Sequence, residues 1–459
     1  MGFSSAFRFS SVLPVAFFAC VVSLSAGAAD PFNTSALHSA SPGARLLRAP
    51  CQAIPANSAL DLVQVVEQSL CNNPQTRIAW ANARAQAAQV GVARGAYLPS
   101  IDASAQRRRS GGEGSTSYGT SAGLSFSYLL YDFGGREASL EYAQQLMAAL
   151  SASEDATLQS VFLSAVQAYY NALAAEAAVT AANESERASQ ESFKSADARY
   201  RVGSGTPADR LQAQTALAQA SLARIQAEGK ARTELGVLAN TMGLDAHQVP
   251  KLAAPAEATP QNDFERNIAA MIDAAKQQRP DLVAAQAQVK AAEANIDAVR
   301  ASGLPKIRVT GGLETWPGPT RGNSVGVSID IPLFSGFNTT YKVRAAEAQL
   351  DAKLAQRDQV SKQVSLDVWR AYYALQTGTE SVRATTALIA SATQSEKVAS
   401  GRYKAGVGSI LEMLNAQSAL ASARQQHIQA QYNWRIAKAS LAQAMGQLDF
   451  DQLNRQTKP

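Results

Sequence analysis

One unit is written twice along this chain. Ala168-Tyr169-Tyr170 recurs as Ala371-Tyr372-Tyr373, Arg199-Tyr200 as Arg402-Tyr403, Gly203 as Gly406, Leu211 as Leu414, and Met242-Gly243 as Met445-Gly446. All these pairs stand 203 positions apart, and between Leu211 and Ala218 the copies read LQAQTALA and LNAQSALA. Upstream, Pro74 with Pro280 and Leu98-Pro99 with Leu304-Pro305 stand 206 apart. Such a duplication calls for two copies of one supersecondary unit. The change in separation places insertions between Pro99 and Met147 or their counterparts, where loops are expected.

Each copy has the same order of elements. A helix opens at Pro74 or Pro280, where a missing N–H costs nothing. It stops before Pro99 or Pro305, because the residue preceding proline avoids the helical basin. Two alternating stretches follow. Ile101, Ala103 and Ala105 interleave with Asp102, Ser104 and Gln106, then Ala122, Leu124, Phe126 and Tyr128 with serines and Gly123. The second copy alternates Ile307, Val309 and Leu313 with Lys306, Arg308 and Glu314, then Val325, Val327, Ile329 and Ile331 with Ser324, Gly326, Ser328 and Asp330. Period two with one apolar face predicts strands over about 99–109, 119–131, 306–316 and 323–334. The polar, glycine-rich stretch Arg107 to Ser115 reads as the loop between the first two, its three arginines suited to lipid phosphates. Trp316-Pro317-Gly318-Pro319 is the corresponding turn, with Trp316 an interface anchor.

Long helices come next, over about 137–201 and 340–403. Val161, Ala165, Ala168 and Ala172, and Val364, Val368, Ala371 and Leu375, recur at coiled-coil spacing. About 65 residues at ~1.5 Å each make a rod on the order of 100 Å. Glycine-bearing turns at 202–208 and 404–410 reverse the chain, and return helices run to about 243 and 446. Repeat 1 thus covers 62–249 and repeat 2 covers 264–447. A Pro/Ala-rich linker (250–263) joins them, an N-terminal arm (30–61) precedes them, and a tail (448–459) follows.

The opening residues read as an address. Arg8, the apolar stretch Val12 to Leu24 and the small residues Ala26-Gly27-Ala28 form a secretory signal over 1–29. Cys20 is a poor lipid-anchor candidate after Phe17-Phe18-Ala19. Cys51 and Cys71 would remain in an oxidising compartment, where an even pair points to a disulfide, with two buried free thiols as the alternative. His38, His247 and His427 lie far apart and suggest no metal site. The formal charge of +5 is small for 459 residues, and no gathered basic face suggests nucleic acid. No nucleophile elbow, phosphate loop or paired acid and base suggests an enzyme or a cofactor.

Four amphipathic strands of ~10 residues are long enough to cross a bilayer with tilt. Hydrocarbon accepts only closed sheets, and the smallest single-chain barrels need about eight strands. Four cannot close alone. Two chains give about eight strands around a filled interior, so a conducting pore favours three. A soluble sheet with one solvated face is the alternative.

With these turns and strands in place, the pattern resembles the TolC family of outer-membrane factors. Tyr200-Arg201-Val202-Gly203 with Asp209 and Leu211, and Tyr403-Lys404-Ala405-Gly406 with Glu412, Leu414 and Asn415, carry the resemblance. So do Leu98-Pro99, Leu130-Tyr131-Asp132-Phe133-Gly134-Gly135-Arg136 and Leu333-Phe334-Ser335-Gly336. The resemblance implies a membrane α+β homotrimer: an outer-membrane β-barrel of about 12 strands, four per chain, continued by a periplasmic coiled-coil α-barrel of about 12 helices. It implies a periplasmic gate near Asp209, Tyr403, Glu412 and Asn415. The turns, with Gly203, Ser204, Gly205, Gly406, Val407 and Gly408, would dock a periplasmic adaptor linked to an inner-membrane ABC or RND transporter. Outer-membrane lipid is a further implied partner. Gly408 and Asn415 stand where the family's best-known member has a gate-tying arginine and a ring aspartate, which implies a weaker latch. Leu70 to Arg77 resembles members serving type I secretion of large toxins, the adenylate cyclase toxin exporter among them. Multidrug efflux through the same duct is the alternative. A periplasmic adaptor is the rival from another class, but adaptors carry one hairpin and this chain reads as two.

Overall fold

The computed structural model describes residues 30–38, 59–112, 115–248, 250–254, 267–315 and 321–448. The signal segment, Cys51 and the turn at 316–320 lie outside the described residues. The two copies begin with equal helices: α2 (Leu62–Asn72) and α6 (Ile268–Gln278), each 11 residues, then α3 (Pro74–Gly95) and α7 (Pro280–Ala301), each 22. Asp61 caps α2 in a reciprocal capping box with Gln64. After the strands come α4 (Gly135–Arg201) and α8 (Asn338–Lys404), 67 residues each, and the return helices α5 (Pro207–Thr241) and α9 (Ile410–Ala444), 35 each. A short α1 (Thr34–His38) packs on α3, where Arg94 Nη1 donates to Phe32 O at 3.0 Å.

Four strands form one antiparallel sheet in the order β2 (Ser100–Gly112), β3 (Ser115–Tyr131), β5 (Lys306–Thr315), β6 (Arg321–Asp330). Register carries the apolar residues of both copies to one face. Ile101 pairs with Phe126, Phe126 with Gly311 and Gly311 with Val325; Ala103 leads likewise through Leu124 and Leu313 to Asn323. The intervening rows hold Asp102, Ser125, Gly312 and Ser324, and Ser104, Gly123 and Glu314. The apolar face is left uncovered: Val325 is 89% exposed and Val327 67%. Among the described residues β2 and β6 each pair on one side only.

The strand bounds differ from the sequence reading in the first hairpin. Arg107, Arg108 and Arg109, which the reading placed within the strand 99–109 and also in the loop, belong to β2, opposite Thr120, Gly119 and Tyr118, and the ladder runs beyond 109 to Gly112 opposite Ser115. Both faces are polar there, which hides the period of two, yet backbone pairing needs no apolar side chain. At the other end β6 stops at Asp330, short of 334, because Pro332 has no N–H to give the ladder.

Among the described residues, the chain supplies four long helices beside the sheet and four toward the turns. Beside the sheet they lie in the order α3, α4, α7, α8; toward the turns the order is α5, α4, α9, α8. α4 is interior in both arrays and α8 is an edge in both. Eighteen residues of α4 are accordingly buried against ten of α8, although their lengths are equal. The coiled-coil seams are among them, Val161, Ala165, Ala168 and Ala172 on α4 and Val364, Val368, Ala371 and Leu375 on α8. The thickest core lies midway along α4, where Val65, Val66 and Leu70 of α2 meet Val161, Phe162, Val166 and Tyr169, with Leu238 of α5 and Met242 at its C-cap. A two-residue parallel bridge, β1 (Ala59–Leu60) with β4 (Lys251–Leu252), ties the N-terminal arm to the linker. Tyr169 Oη donates to Ala253 O at 2.9 Å beside it. Cys71, in the last turn of α2, is disulfide-bonded.

Candidate functional site: the paired helical turns

The two helix reversals share one geometry. Gly203 (φ +78°) and Gly406 (φ +80°) take the left-handed conformation that lets the chain turn after α4 and α8. Ser204 N donates to Arg199 O at 2.9 Å, and Val407 N to Arg402 O at 3.0 Å, the six-to-one bond of a Schellman ending. Gly205 and Gly408 lie against the last helical turn. A Cβ at 205 would stand 3.1 Å from Arg199 Cβ, and one at 408 would stand 3.0 Å from Arg402 Cβ. Glycine at 408 thus answers the same packing demand as glycine at 205.

The return helices start on matched caps. Asp209 N donates to Thr206 Oγ1 at 3.1 Å while Thr206 N donates to Asp209 Oδ2 at 3.2 Å, a reciprocal capping box. Glu412 N donates to Ser409 Oγ at 3.2 Å. The Glu412 side chain turns elsewhere, to Arg402 Nη1 at 2.9 Å. Asn415 lies exposed on the next turn of α9.

Tyr403 is the junction between the hairpins. It is buried with Ala196, Ala213, Ile410 and Met413, so α4, α5, α8 and α9 all meet there. The guanidinium of Arg199 sits 4.4 Å from its ring centroid, a cation–π contact. Arg199 Nη2 also donates to Tyr403 O at 2.7 Å and Lys404 O at 3.1 Å, closing carbonyls left open at the end of α8. Burial pushes the Tyr403 hydroxyl above its ordinary range, against the pull of Arg199 and with the help of the Asp209 charge.

Above the turns, polar pairs join α4 to α9: Ser192 Oγ to Gln417 Oε1 at 3.1 Å, and Arg424 Nη1 to Glu184 Oε2 at 2.9 Å. Within the first hairpin, Arg210 and Arg201 both hold Asp197, at 2.7 and 2.8 Å. The Arg210 hydrogen bond leads in lowering the Asp197 carboxyl below its usual range. The structure therefore places Asp209 near Tyr403, sets Glu412 on Arg402, and leaves Val202 and Val407 exposed at the turns. Sequence reasoning missed Arg199. The repeated Arg-Tyr dyad was its visible signal, but only the fold shows that Arg199 crosses between hairpins while its counterpart Arg402 stays within its own.

Among the described residues no helix is long and apolar enough to cross a membrane, and no cluster of His, Cys, Asp and Glu has metal-site geometry. The family model described as outer membrane efflux protein matches residues 65–244 and 271–447, the two repeats. Protein CyaE of Bordetella pertussis is 33% identical over 85% of this chain and 84% of its own length. The alkaline protease secretion protein AprF of Pseudomonas aeruginosa is 25% identical over 71% of this chain and 69% of its own. The crystal structure of the Campylobacter jejuni CmeC outer membrane channel superposes with a TM-score of 0.76, covering 89% of this chain and 94% of that one at 20% identity. Duplicated hairpins, an amphipathic sheet with its apolar face uncovered and these likenesses converge: the chain belongs to the outer membrane efflux protein family, whose members are outer-membrane channels.

Proposed function

We propose that three copies of this chain close into one export duct, the outer-membrane part of a machine that also includes a periplasmic adaptor and an inner-membrane transporter. The observation that carries this reading is the open sheet. It has two edge strands, β2 and β6, and an uncovered apolar face. In hydrocarbon such edges strand backbone polar groups, so neighbouring copies must pair them. Three four-stranded sheets make a closed 12-stranded barrel, within the even-numbered range of outer-membrane barrels. The polar rows containing Asp102, Ser125, Glu314 and Ser328 then line a wet lumen. The two sets of four helices give a matching twelvefold wall below.

The paired turns are the natural gate and docking end. Moving one hairpin against the other must break Arg199 from Tyr403 and Lys404, Ser192 from Gln417, and Arg424 from Glu184. Three-fold repetition of Glu412 and Asp209 would ring the passage with carboxylates that attract cations. Pairing with Arg402 weakens the Glu412 share of that ring, in keeping with a weakly latched gate. Exposed Val202 and Val407 offer apolar contact to an adaptor hairpin beside Gly203, Ser204, Gly205, Gly406 and Gly408.

Protein secretion of the type I kind is the favoured cargo route, supported by the likeness to a protease secretion protein and by the Leu70–Arg77 stretch. Efflux of small molecules is the second reading, in line with a family described as outer membrane efflux protein. Deleting the gene and assaying secreted proteins beside drug susceptibility tests both. Loss of a secreted protein with unchanged drug tolerance is the expected result; drug sensitivity with intact secretion would transfer the assignment to efflux. In planar bilayers Glu412→Gln should reduce divalent-cation block, and unchanged block would remove Glu412 from the ring.

A further inference from the structure

The sheet passes to the helices through two turns that place phenylalanine where the backbone favours glycine. Phe133 (φ +53°) and Gly134 (φ +87°) precede α4; Gly336 (φ +62°) and Phe337 (φ +62°) precede α8. Each turn needs two successive left-handed residues and gives only one of them to glycine. A bulky side chain at positive φ is strained, and strain of this kind persists where a function holds it. Packing within the chain does not account for it: Phe133 is 45% exposed and Phe337 64%.

Both turns lie at one level, next to the last rows of the ladder. β3 reaches that level through a bulge. Leu129 stands opposite Arg308 in a polar row, and the register then skips Leu130, so that Tyr131 stands opposite Ile307. Ile307 in turn pairs with Ile329. The bulge thereby re-aims Tyr131 onto the apolar face. The Phe133 ring meets it edge-on with centroids 4.8 Å apart, and Phe337 meets Phe334 likewise at 5.6 Å. In the second copy exposed apolar residues follow one another from Ile329 through Ile331 and Leu333 to Phe334 and Phe337. About one helical turn further on, the exposed residues are charged, with Glu137 on α4 and Lys342 and Arg344 on α8. A surface that is apolar above, aromatic at its lower edge and charged beneath has the profile of a membrane–water boundary.

We propose that Phe133 and Phe337 are depth anchors, seated between the headgroups and acyl chains of inner-leaflet phospholipid, and that this contact offsets the strain of their turns. Interfacial lipid is the occupant because the patch continues the outer apolar face of the barrel and ends where the charged helices begin. Repeated around the barrel, the rings lie in one plane and fix the height at which sheet gives way to periplasmic helices. The proposal rests on the barrel reading, and its test separates the two.

The assembled protein is reconstituted in phosphatidylethanolamine–phosphatidylglycerol vesicles whose lipids carry bromine either near the headgroup or near the chain ends. Tryptophan emission is followed for Phe133→Trp, Phe337→Trp and Val325→Trp, each against the parent protein; Val325 marks the middle of the apolar face. Emission added at 133 and 337 should be quenched more by bromine near the headgroup, and emission added at 325 more by bromine near the chain ends. The two turns are read independently, so one variant that fails to assemble leaves the other to decide. Quenching at 325 with none at 133 and 337 would overturn the anchors, assigning their rings to a neighbouring copy, and leave the barrel standing. No quenching at 325 either would strike the barrel reading, and the anchors with it. Phe133→Gly with Phe337→Gly relieves the strain, since glycine takes positive φ freely, yet should lower the temperature at which the assembly dissociates in vesicles. A rise would show strain that no lipid contact offsets and would overturn the proposal.

Discussion

Two side chains in the helical part carry more than their local packing suggests. Glu154 is fully buried on α4. Burial, with the neighbouring Asp155 charge adding to it, raises its carboxyl from 4.5 to about 7. Below about pH 4.5 the group is neutral in both folded and unfolded chains and costs nothing. Between 4.5 and 7 the unfolded chain gives up the proton first, so the cost to folding grows, reaching its full value above 7. Glu154→Gln should therefore raise the melting midpoint at about pH 8 and leave it nearly unchanged at about pH 4. The gain is on the order of 3 kcal/mol, at ~1.4 kcal/mol per pKa unit. Equal melting shifts at both pH values would contradict it. Arg199 is the second. Arg199→Ala removes the stacking on Tyr403 and both carbonyl bonds between the hairpins, and should increase single-channel open probability several-fold in planar bilayers, whereas Arg402→Ala, which breaks a pair within one hairpin, should change it less. Reading these two roles from sequence was out of reach. A glutamate beside an aspartate in an alanine-rich helix looks solvated until its neighbours are known, and the arginines at 199 and 402 occupy the same place in each repeat with different partners.

Helices and strands differed in how much of their extent the residues disclosed. Pro74, Pro280 and the Gly203 and Gly406 turns bracket the helices closely, because proline and positive φ act within one or two residues. The strands were legible only where one face is apolar. The ribbon above Ala105 is mostly serine, threonine, glycine and arginine, with Tyr118 its one large apolar ring, so its pairing had no period to betray it. Nor does alternation reveal which strand neighbours which; the β3–β5 contact between copies came from the fold alone. Helix glycines give a test at this scale. Gly378 of α8 faces the α9 backbone, where a Cβ would stand 3.3 Å from Trp434 Cα, while a Cβ at Gly401 would meet nothing within 4 Å. Gly378→Val should destabilise the α8–α9 pair by about 1–3 kcal/mol through overpacking. Gly401→Ala should stabilise by about 0.5–1 kcal/mol, since alanine favours helix. Thermal unfolding followed by circular dichroism checks both, and a stabilising Gly378→Val would refute the close approach.

For the whole molecule, the decisive property is incompleteness. α4 is sheltered on both sides while α8, of equal length, is an edge from sheet to turn, and the sheet above it repeats the asymmetry with β2 and β6. A surface that unfinished is stable in hydrocarbon only when copies complete it. The duplication explains why one chain offers four strands and two sets of four helices, and on the proposed closure that is too few for one chain. The most direct measurement is subunit number: native mass spectrometry of the mature protein released from outer membranes in mild detergent. The account predicts a single assembly of three times the denatured chain mass. A stable monomer or dimer, or a chain that stays soluble without detergent, would contradict it.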